Sequence, residues 1–448
     1  MALRDVLVGL GARILATLLD NSPAWAVADE AAALGGVVHV PLPLFFSKAQ
    51  IAHALHAAGV DTLLVPSFAA SSWPLLAGPN CEIVGESFAL LHIDALPLAT
   101  PAGTAKITFT SGSTGAPKGV CLSGAALHAV RDGLVEALRP LHIERHLCAL
   151  PLAVLLENVA GLMAPMAAGA SCIVLPLAQL GLGGSSSFDP EQFHAAVVAH
   201  EPNSLILLPQ MLRAWVGFLA RTGRRAPGSL RLVAVGGAAV GARLLASARG
   251  LGVPAYEGYG LSESASVQTL NVPGADRAGS AGRPLAHARV RIAADGEIEV
   301  GGSLFSGYLG DREAPAGDWW PTGDLGSLDA DGFLHVTGRK KNMLITGFGR
   351  NVAPEWVRRR CAARTRWPRR SFSAMRSRRS VRCCGRPPAT ATTRNFKTPS
   401  MRRTQPCLIT RACGGGPARA PRSMPTPGSR RATAGPSAPP SGRRIAIP

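Results

Sequence analysis

Residues 108–120, which read T-F-T-S-G-S-T-G-A-P-K-G-V, are dense in groups that can bind an anion. The glycines let backbone N–H groups approach an anion closely, the hydroxyls add donors, and Lys118 adds a positive charge. The spacing differs from G-x-x-x-x-G-K-[ST], so the stretch is not a Walker A loop. A flexible linker is the alternative, but linkers do not run directly out of a β-branched strand into a Pro-Lys-Gly turn. The residues predicted to cradle a nucleotide phosphate are Thr110, Ser111, Gly112, Ser113, Thr114, Gly115 and Lys118.

This stretch resembles the signature loop of the adenylate-forming superfamily, which includes acyl-CoA synthetases, peptide-synthetase adenylation domains and luciferases. Three later segments resemble further motifs of that family and follow in the family's order: P-A-Y-E-G-Y-G-L-S-E at 254–263, W-W-P-T-G-D-L at 319–325 and G-R-K-K-N-M at 338–343. The resemblance implies ATP and Mg²⁺ as cofactors and CoA as the acceptor.

The resemblance also assigns roles around the nucleotide. Tyr259 would stack on adenine, which gives apolar contact to a flat base. Glu263 would hold the magnesium of ATP, because Mg²⁺ prefers carboxylate and phosphate oxygens. Lys118, Thr110 and Glu263 are the residues expected to act in catalysis. Further residues expected at the nucleotide are Gly236, Gly237, Gly260 and Ser262.

Three residues near the end of the matching region complete this set. Asp324 would accept hydrogen bonds from both ribose hydroxyls, as a carboxylate can. Arg339 is expected near the ribose or the phosphates. Lys341 is expected at the pivot about which a small C-terminal domain rotates.

An apolar segment at 149–170 resembles the family segment that lines the pocket for the carboxylate substrate. The pattern P-L-x-H-x-x-E-x-x-x-G is matched at Pro151, Leu152, Glu157 and Gly161, whereas Val154 stands where the histidine is expected. For Glu157, the alternative to a pocket residue is a helix residue satisfied by a cap or by water.

The same segment bears on the class of acid. Amino-acid adenylation domains place an aspartate here, because a buried substrate ammonium without a partner is costly. Residues 149–156 contain no aspartate. The sequence therefore favours an aliphatic or aromatic acid over an amino acid.

Short apolar strands alternate with helical patterns in the first half of the chain, which predicts a layered α/β domain. A helix is predicted at 25–34, a strand ending at Pro41, a helix-then-strand unit within 47–65, and a helix from Asp189 as N-cap to about His200. By resemblance, residues 1–338 form an adenylation domain of three subdomains, shortened at its N-terminus. Residues 339–357 are the hinge and the start of the lid, and residues 358–448 are a tail in place of the lid.

The formal net charge of +19 is concentrated in that tail. Residues 358–448 contain 22 Arg, one Lys (Lys397) and no Asp or Glu, whereas the first 357 residues hold 24 basic and 28 acidic residues. The body of the protein is therefore slightly acidic, and its charge does not predict a nucleic-acid partner.

Cysteine spacing and hydropathy exclude several classes of protein. None of the nine cysteines forms a C-x-x-C pair, so neither a disulfide framework nor a zinc site is predicted. Residues 149–170 are nearly all apolar, but Glu157, Asn158 and two prolines interrupt them, so a membrane span is not predicted. We expect a cytoplasmic enzyme, with peripheral membrane contact as an open alternative.

The resemblance stops after residue 357. The tail is rich in Arg, Pro, Ser and Ala and has no helical or strand period, so it cannot bury enough apolar surface to offset its ordering entropy. A shifted reading frame in a GC-rich gene is the favoured interpretation. The alternative is a basic arm that binds nucleic acid or acidic lipid.

The function predicted from these motifs is ATP-dependent activation of a carboxylic acid, favoured as a fatty acid, to acyl-AMP and then to an acyl-CoA thioester. The tail lacks the family's late lysine in its G-K context, so we expect ATP binding with slow adenylation. The alternatives are a carrier-protein thiol as acceptor and a non-catalytic nucleotide-binding remnant.

The reading-frame hypothesis predicts the content of the gene. Another frame beyond codon 357 should encode a small α/β lid that contains a late Gly-Lys segment. Sequencing the gene and translating all frames is the measurement, and the absence of such a frame would contradict the hypothesis.

Overall fold

The computed structural model describes residues 3–73, 76–95, 100–110, 117–183, 187–311, 317–342, 344–345, 351–352 and 444–445. By their contacts these residues belong to one unit, Met1–Met375 with Gly442–Pro448, and the second unit, Arg376–Ser441, lies outside the described residues. The expectations for the lid and for nearly all of the tail therefore fall outside the described residues.

Short strands dominate the described part of the chain. They are β1 (Ile14–Thr17), β2 (Val38–Pro41), β3 (Thr62–Pro66), β4 (Leu76–Ile83), β5 (Glu86–His92), β6 (Thr104–Thr110), β7 (Lys118–Ser123), β8 (Arg145–Leu147), β9 (Ser171–Ile173), β10 (Leu182–Gly183), β11 (Ser187–Phe188), β12 (Ser204–Leu207), β13 (Leu232–Val235), β14 (Ala255–Leu261), β15 (Ser266–Leu270), β16 (Arg283–Pro284), β17 (Ala288–Ile292), β18 (Glu297–Gly302), β19 (Gly307–Tyr308), β20 (Trp320–Leu328), β21 (Leu334–Arg339), β22 (Leu344–Ile345), β23 (Asn351–Val352) and β24 (Arg444–Ile445).

The helices connect and cover these strands. They are α1 (Leu3–Gly9), α2 (Pro23–Leu34), α3 (Lys48–Ala57), α4 (Gly124–Leu138), α5 (Ala164–Ala167), α6 (Pro190–His200), α7 (Pro209–Thr222) and α8 (Ala242–Gly250). A π-helical stretch, Glu157–Met163, runs directly into α5, and we call it the π-segment.

Two eight-stranded sheets and one four-stranded sheet form the framework. The first sheet has the order β19-β7-β6-β2-β1-β3-β5-β4, and the second has the order β16-β15-β14-β13-β12-β8-β9-β24. Both are mixed: β6, β2, β1 and β3 are parallel in the first, as are β14, β13, β12, β8 and β9 in the second, with antiparallel strands outside them. The third sheet, β17-β18-β20-β21, is antiparallel. The predicted α/β class is confirmed.

Local sequence signals explain where several helices begin. Ser22 caps α2 and Pro23 starts it, and Ser47 and Gln50 form a reciprocal capping box at α3. At α6 the predicted N-cap Asp189 accepts hydrogen bonds from two backbone N–H groups. The side chain of Gln192 does not reach back to the cap and donates instead to the carbonyl of Ala178 at 2.8 Å.

Apolar side chains of the helices fill the layers against the sheets. Phe193 of α6 and Trp215 of α7 are buried and meet edge to face, with ring centroids 5.2 Å apart. Trp25 of α2 is likewise buried, in a cluster with Leu15 and Leu64 of the first sheet. Among the described residues, no helix combines the length and apolar character needed to cross a bilayer.

A buried polar network joins α2, β2, β6 and the π-segment. Lys106 of β6 pairs with Asp29 of α2 at 2.7 Å and also donates to the Asn158 side chain, whose amide donates to Asp29 at 2.8 Å. His39 lies 2.6 Å from the same carboxylate through Nδ1, and its Nε2 lies 2.9 Å from the Thr17 hydroxyl. The charged and amide side chains of this network therefore hydrogen-bond to one another.

The charges in this network depend on one another. Burial alone would raise the pKa of Asp29, but the Lys106 ammonium and the hydrogen bond from His39 hold that pKa well below its usual value. Burial lowers the pKa of His39, so the ring is neutral, donates from Nδ1 to Asp29 and accepts from Thr17. Lys106 has the largest effect among the neighbours that favour the ionised form of Asp29.

Lys106→Met should therefore destabilise the fold strongly, by about 3–5 kcal/mol at pH 7, because it leaves a buried carboxylate without its cation. The folded pKa of Asp29 is lowered, so its contribution is fully present above the unfolded pKa of about 3.9 and is lost as pH falls below it. The difference between wild type and variant should thus shrink below about pH 4. Urea unfolding at several pH values measures it.

The exposed Lys48, the first residue of α3, provides the matched control. Lys48→Met should change the free energy of unfolding by less than about 0.5 kcal/mol, as is usual for surface substitutions. Equal effects of the two substitutions would contradict the network's role.

Candidate active site

One cavity of about 690 Å³ lies between the two large sheets and brings together residues from distant parts of the chain. Six residues that the sequence assigns to a nucleotide line it: Thr110, Gly236, Gly237, Tyr259, Gly260 and Ser262. Strands β12, β13 and β14 are parallel, so the residues that follow β13 and those that end β14 meet at the same edge of the second sheet. Thr110 comes to this edge from the end of β6 in the first sheet.

Two of these positions require glycine for structural reasons. Gly237 has φ +78°, a left-handed conformation that side chains with a Cβ rarely adopt. A Cβ at Gly260 would lie 1.9 Å from the backbone oxygen of Ser266, because β14 and β15 pair tightly across an irregularity at this point. Both glycines thus let backbone line the cavity directly.

The predicted phosphate cradle connects two paired strands. Thr110 at the end of β6 lies opposite Lys118 at the start of β7 in an antiparallel pair. The residues between them that were predicted to bind phosphate, Ser111, Gly112, Ser113, Thr114 and Gly115, lie outside the described residues. Lys118 is exposed, and its Nζ lies 5.0 Å from the centroid of the Tyr308 ring.

Tyr308 links the cradle to the predicted magnesium ligand. Its hydroxyl donates to Glu263 Oε1 at 2.9 Å, and its strand β19 adds to the edge of β7. Burial and then the nearby Glu263 charge raise the pKa of Tyr308, so its hydroxyl remains a donor. Lys118 and Glu263 are therefore brought to the two sides of one ring.

Sequence reasoning did not assign Tyr308 a role at the site. It stands in the run S-G-Y-L-G at 306–310, whose residue types by themselves indicate no function. The available signal was an aromatic residue between two glycines shortly after a predicted strand, and it does not by itself indicate a partner.

A second tyrosine holds the predicted ribose ligand. Tyr259 donates to Asp324 Oδ2 at 2.9 Å, and Arg339 Nε lies 2.7 Å from Asp324 Oδ1. Asp324 and Arg339 face each other directly in the β20–β21 pair, which explains their contact. Burial raises the pKa of Asp324, whereas Arg339 and Tyr259 oppose that shift. The structure thus joins three residues that the sequence assigns to the nucleotide.

Lys341 does not line the cavity and is exposed on the turn after β21. The adjacent Lys340 forms ion pairs instead, because its Nζ lies 2.6 Å from both Asp295 and Glu297. These contacts join the turn after β21 to the β17–β18 hairpin of the same sheet.

Most of the rest of the cavity is apolar, although Arg139, His142, His146 and Ser204 also line it. Ala153, Val154, Leu155 and Leu156 line it, and they belong to the segment that resembles the substrate-pocket segment of the family. Further aliphatic lining comes from α4, the π-segment and α5: Leu134, Val135, Leu138, Ala160, Ala164, Pro165 and Ala168. Among the described residues no carboxylate lines the cavity, so a substrate ammonium would find no counter-charge there.

Four matched residues of the substrate segment lie behind this lining rather than in it: Pro151, Leu152, Glu157 and Gly161. Glu157 is 0% exposed, and its Oε1 lies 3.5 Å from His146 Nε2. Burial raises the pKa of Glu157, against the smaller opposing effects of His146 and the amides of Leu150 and Ala149. Glu157 therefore does not line the cavity itself and faces His146, which does.

Comparison with known proteins agrees with this arrangement. The profile of the family described as AMP-binding enzyme matches residues 2–309. A feruloyl-CoA synthase from Amycolatopsis sp is 32% identical over 369 residues, which cover 77% of this chain and 71% of that protein. A long-chain-fatty-acid–CoA ligase from Mycobacterium bovis is 45% identical over 132 residues, which cover 28% of this chain and only 22% of the ligase.

Solved structures show the same fold. The O-succinylbenzoate coenzyme A synthetase of Bacillus subtilis in complex with AMP has a TM-score of 0.64 at 25% identity, covering 81% of this chain and 76% of that one. The same enzyme with ATP and magnesium ion has a TM-score of 0.60 at 26% identity, covering 78% and 74%. From the family profile, the feruloyl-CoA synthase and these structures together, the chain belongs to the family of AMP-binding enzymes.

Proposed function

We propose that the protein is an AMP-forming acid–thiol ligase that converts a carboxylic acid and ATP to an acyl adenylate and then to an acyl-CoA thioester. The observation that carries this proposal is the cavity in which six of the predicted nucleotide residues adjoin a mainly apolar lining. A nucleotide and an apolar acid bound in one cavity would have their reacting groups side by side. That proximity is what joining a carboxylate to the α-phosphate requires.

In the first step a carboxylate oxygen attacks the α-phosphorus, a C–O–P bond forms, and the bond to pyrophosphate breaks. Negative charge on the transferring group would be met by backbone N–H groups, the hydroxyls of the 110–115 loop and Lys118. In the second step the CoA thiol attacks the acyl carbon, loses its proton to solvent and displaces AMP.

Glu263 is the residue we propose to hold Mg²⁺. Its carboxylate is an oxygen ligand of the kind that Mg²⁺ prefers, and the Tyr308 hydroxyl fixes its orientation. When bound, the ion would neutralise phosphate charge. Asp324 is proposed to receive the ribose hydroxyls in exchange for its present partner, the hydroxyl of Tyr259.

The proposed substrate is an aliphatic or aromatic acid without an ammonium group, with a fatty acid favoured. The aliphatic lining and the lack of a described carboxylate in it support this class. The relatives include enzymes named for a long-chain fatty acid, ferulate and succinylbenzoate, which are acids of this class. The proposed setting is the cytoplasm, and peripheral contact with a membrane stays an open part of the proposal.

Two alternatives compete with this proposal. A carrier-protein thiol could replace CoA as the acceptor. The cavity fits both alternatives, because it is proposed to bind the nucleotide and the acid and not the acceptor thiol. A non-catalytic nucleotide-binding protein would keep the same nucleotide residues without turnover.

Lys118→Ala should lower acid-dependent pyrophosphate release by at least about 100-fold, the usual cost of removing one group that stabilises transition-state charge. Because the sequence predicts slow adenylation, single-turnover assays with excess full-length protein are appropriate. Lys48→Ala, an exposed lysine outside the cavity, is the control and should keep the wild-type rate.

MgATP titration and pyrophosphate assays on the wild-type chain distinguish the proposed ligase from its alternatives. Binding of MgATP by calorimetry without pyrophosphate release from any aliphatic or aromatic acid would favour the non-catalytic alternative. No heat on titrating the wild-type chain with MgATP would overturn the proposal altogether.

Ala160→Phe should shorten the apolar part of the cavity, because Ala160 lines it from the π-segment. We expect the KM for long acids to rise at least about tenfold, which corresponds to roughly 1.4 kcal/mol, with short acids and MgATP little affected. A series of acids of increasing length measures this effect. Ala160→Val should give an intermediate result, and an equal loss for all acids would show that the apolar lining does not bind the acyl chain.

A further inference from the structure

At the wall of the cavity, three side chains of types that can bind a metal come together. His146 and Cys148 lie on and just after β8, and Glu157 begins the π-segment. One ligand atom from each lies within 4.8 Å of the others, and all three residues are buried. Neither the nucleotide nor the acyl part of the proposed reaction uses this cluster, which we call the β8 cluster.

Glu157 is incompletely satisfied in its present surroundings. Its Oε2 is buried without a hydrogen-bond partner, and the contact of Oε1 with His146 Nε2 is long at 3.5 Å. A buried carboxylate is costly unless it is paired or coordinates a metal. The unpartnered oxygen is an observation independent of the clustering, and it points to a ligand that the carboxylate would bind.

The imidazole of His146 is oriented as a metal ligand would be. Its Nδ1 lies 2.8 Å from the hydroxyl of Ser204 on β12, which leaves Nε2 directed at Glu157. Metal-binding histidines commonly have their second nitrogen fixed by such a hydrogen bond. The outer partner of the ring is therefore already present.

A second thiol stands next to the first. Cys172 lies on β9, and its strand position is opposite His146 in the parallel β8–β9 pair. Both Cys148 Sγ and Cys172 Sγ approach the carbonyl oxygen of Gly161, at 3.5 and 3.7 Å. Cys172 thus lies beside the cluster, while the three ligand atoms that approach one another are those of His146, Cys148 and Glu157.

Gly161 keeps the cluster together. A Cβ at this position would lie 2.4 Å from Glu157 Oε1 and 2.9 Å from His146 Nε2. Any side chain here would push the carboxylate away from the ring. The glycine of the P-L-x-H-x-x-E-x-x-x-G pattern therefore serves the approach of Glu157 to His146.

We propose that the β8 cluster is a buried Zn²⁺ site with His146, Cys148 and Glu157 as its protein ligands. Imidazole nitrogen, thiolate sulfur and carboxylate oxygen are the donors that Zn²⁺ takes in tetrahedral sites. On binding, the Cys148 thiol releases its proton to solvent, and the divalent ion neutralises the thiolate and carboxylate charges. His146 and Ser204 also line the cavity, which gives the ion a route of entry.

The consequence of such a site would be mechanical. The ion would fasten the π-segment, whose other side lines the cavity through Ala160, to strand β8 of the second sheet. The site is independent of the nucleotide chemistry, so it can be tested without any enzymatic turnover.

Full-length protein, freed of metal with a chelator and kept reduced with a phosphine, should be titrated with Zn²⁺ against a chromogenic chelator. Wild type should bind one equivalent of Zn²⁺ tightly. The Cys148→Ala and Glu157→Gln variants should bind that equivalent more than about 100-fold more weakly. Ser204→Ala should weaken binding by about 10- to 100-fold, as outer partners of metal ligands do. Co²⁺ in place of Zn²⁺ should give a thiolate charge-transfer band in wild type that Cys148→Ala loses.

Cys121→Ala is the matched control, because Cys121 is a buried thiol on β7 away from the cluster. Binding by the five cysteines beyond residue 357 is common to all variants and cancels in the comparison. Zn²⁺ should raise the Tm of wild type and Cys121→Ala but not of Cys148→Ala. Equal Zn²⁺ binding by wild type and Cys148→Ala, or no tight equivalent in folded wild type, would overturn the proposal and leave a buried water as the partner of Glu157.

Discussion

The pairing of Lys106 with Asp29 is the interaction on which the placement of the site depends. Lys106 belongs to the strand that ends at Thr110, Asp29 belongs to α2, and Asn158 of the π-segment binds both. A buried ion pair contributes little net stability compared with apolar packing, but removing one partner is costly. We therefore infer that the pair serves mainly to fix one arrangement of cradle strand and cavity wall.

The π-segment carries a different chemistry on each side. Toward the cavity it presents Ala160, and toward the sheets it presents Glu157 and Asn158. Wide π-helical turns are found most often at functional sites. Here one short piece of chain lines an apolar pocket with one side and places two buried polar groups beside their partners with the other. The polar contacts fix the position of the segment, and its apolar side remains available to line the pocket.

On the nucleotide side, tyrosine hydroxyls hold the carboxylates in place. Tyr259 donates to Asp324, and Tyr308 donates to Glu263. Because each donor is a neutral hydroxyl, a ribose hydroxyl or a cation can take its place at modest cost. The carboxylates are thus oriented before a nucleotide arrives, which reduces the ordering cost of binding.

What the sequence determined by itself was local. The N-cap of α6, the α/β class and the order of the nucleotide motifs follow from residues close together in the chain, because capping and periodicity involve only neighbouring backbone. The tertiary structure alone decided that Tyr308 reaches Glu263 across 45 residues and that Lys106 reaches Asp29 across 77. It also decided that Glu157 turns toward His146 rather than toward a substrate. These contacts depend on sheet order and strand register, which are set by how the whole core packs and which no short pattern of residues records.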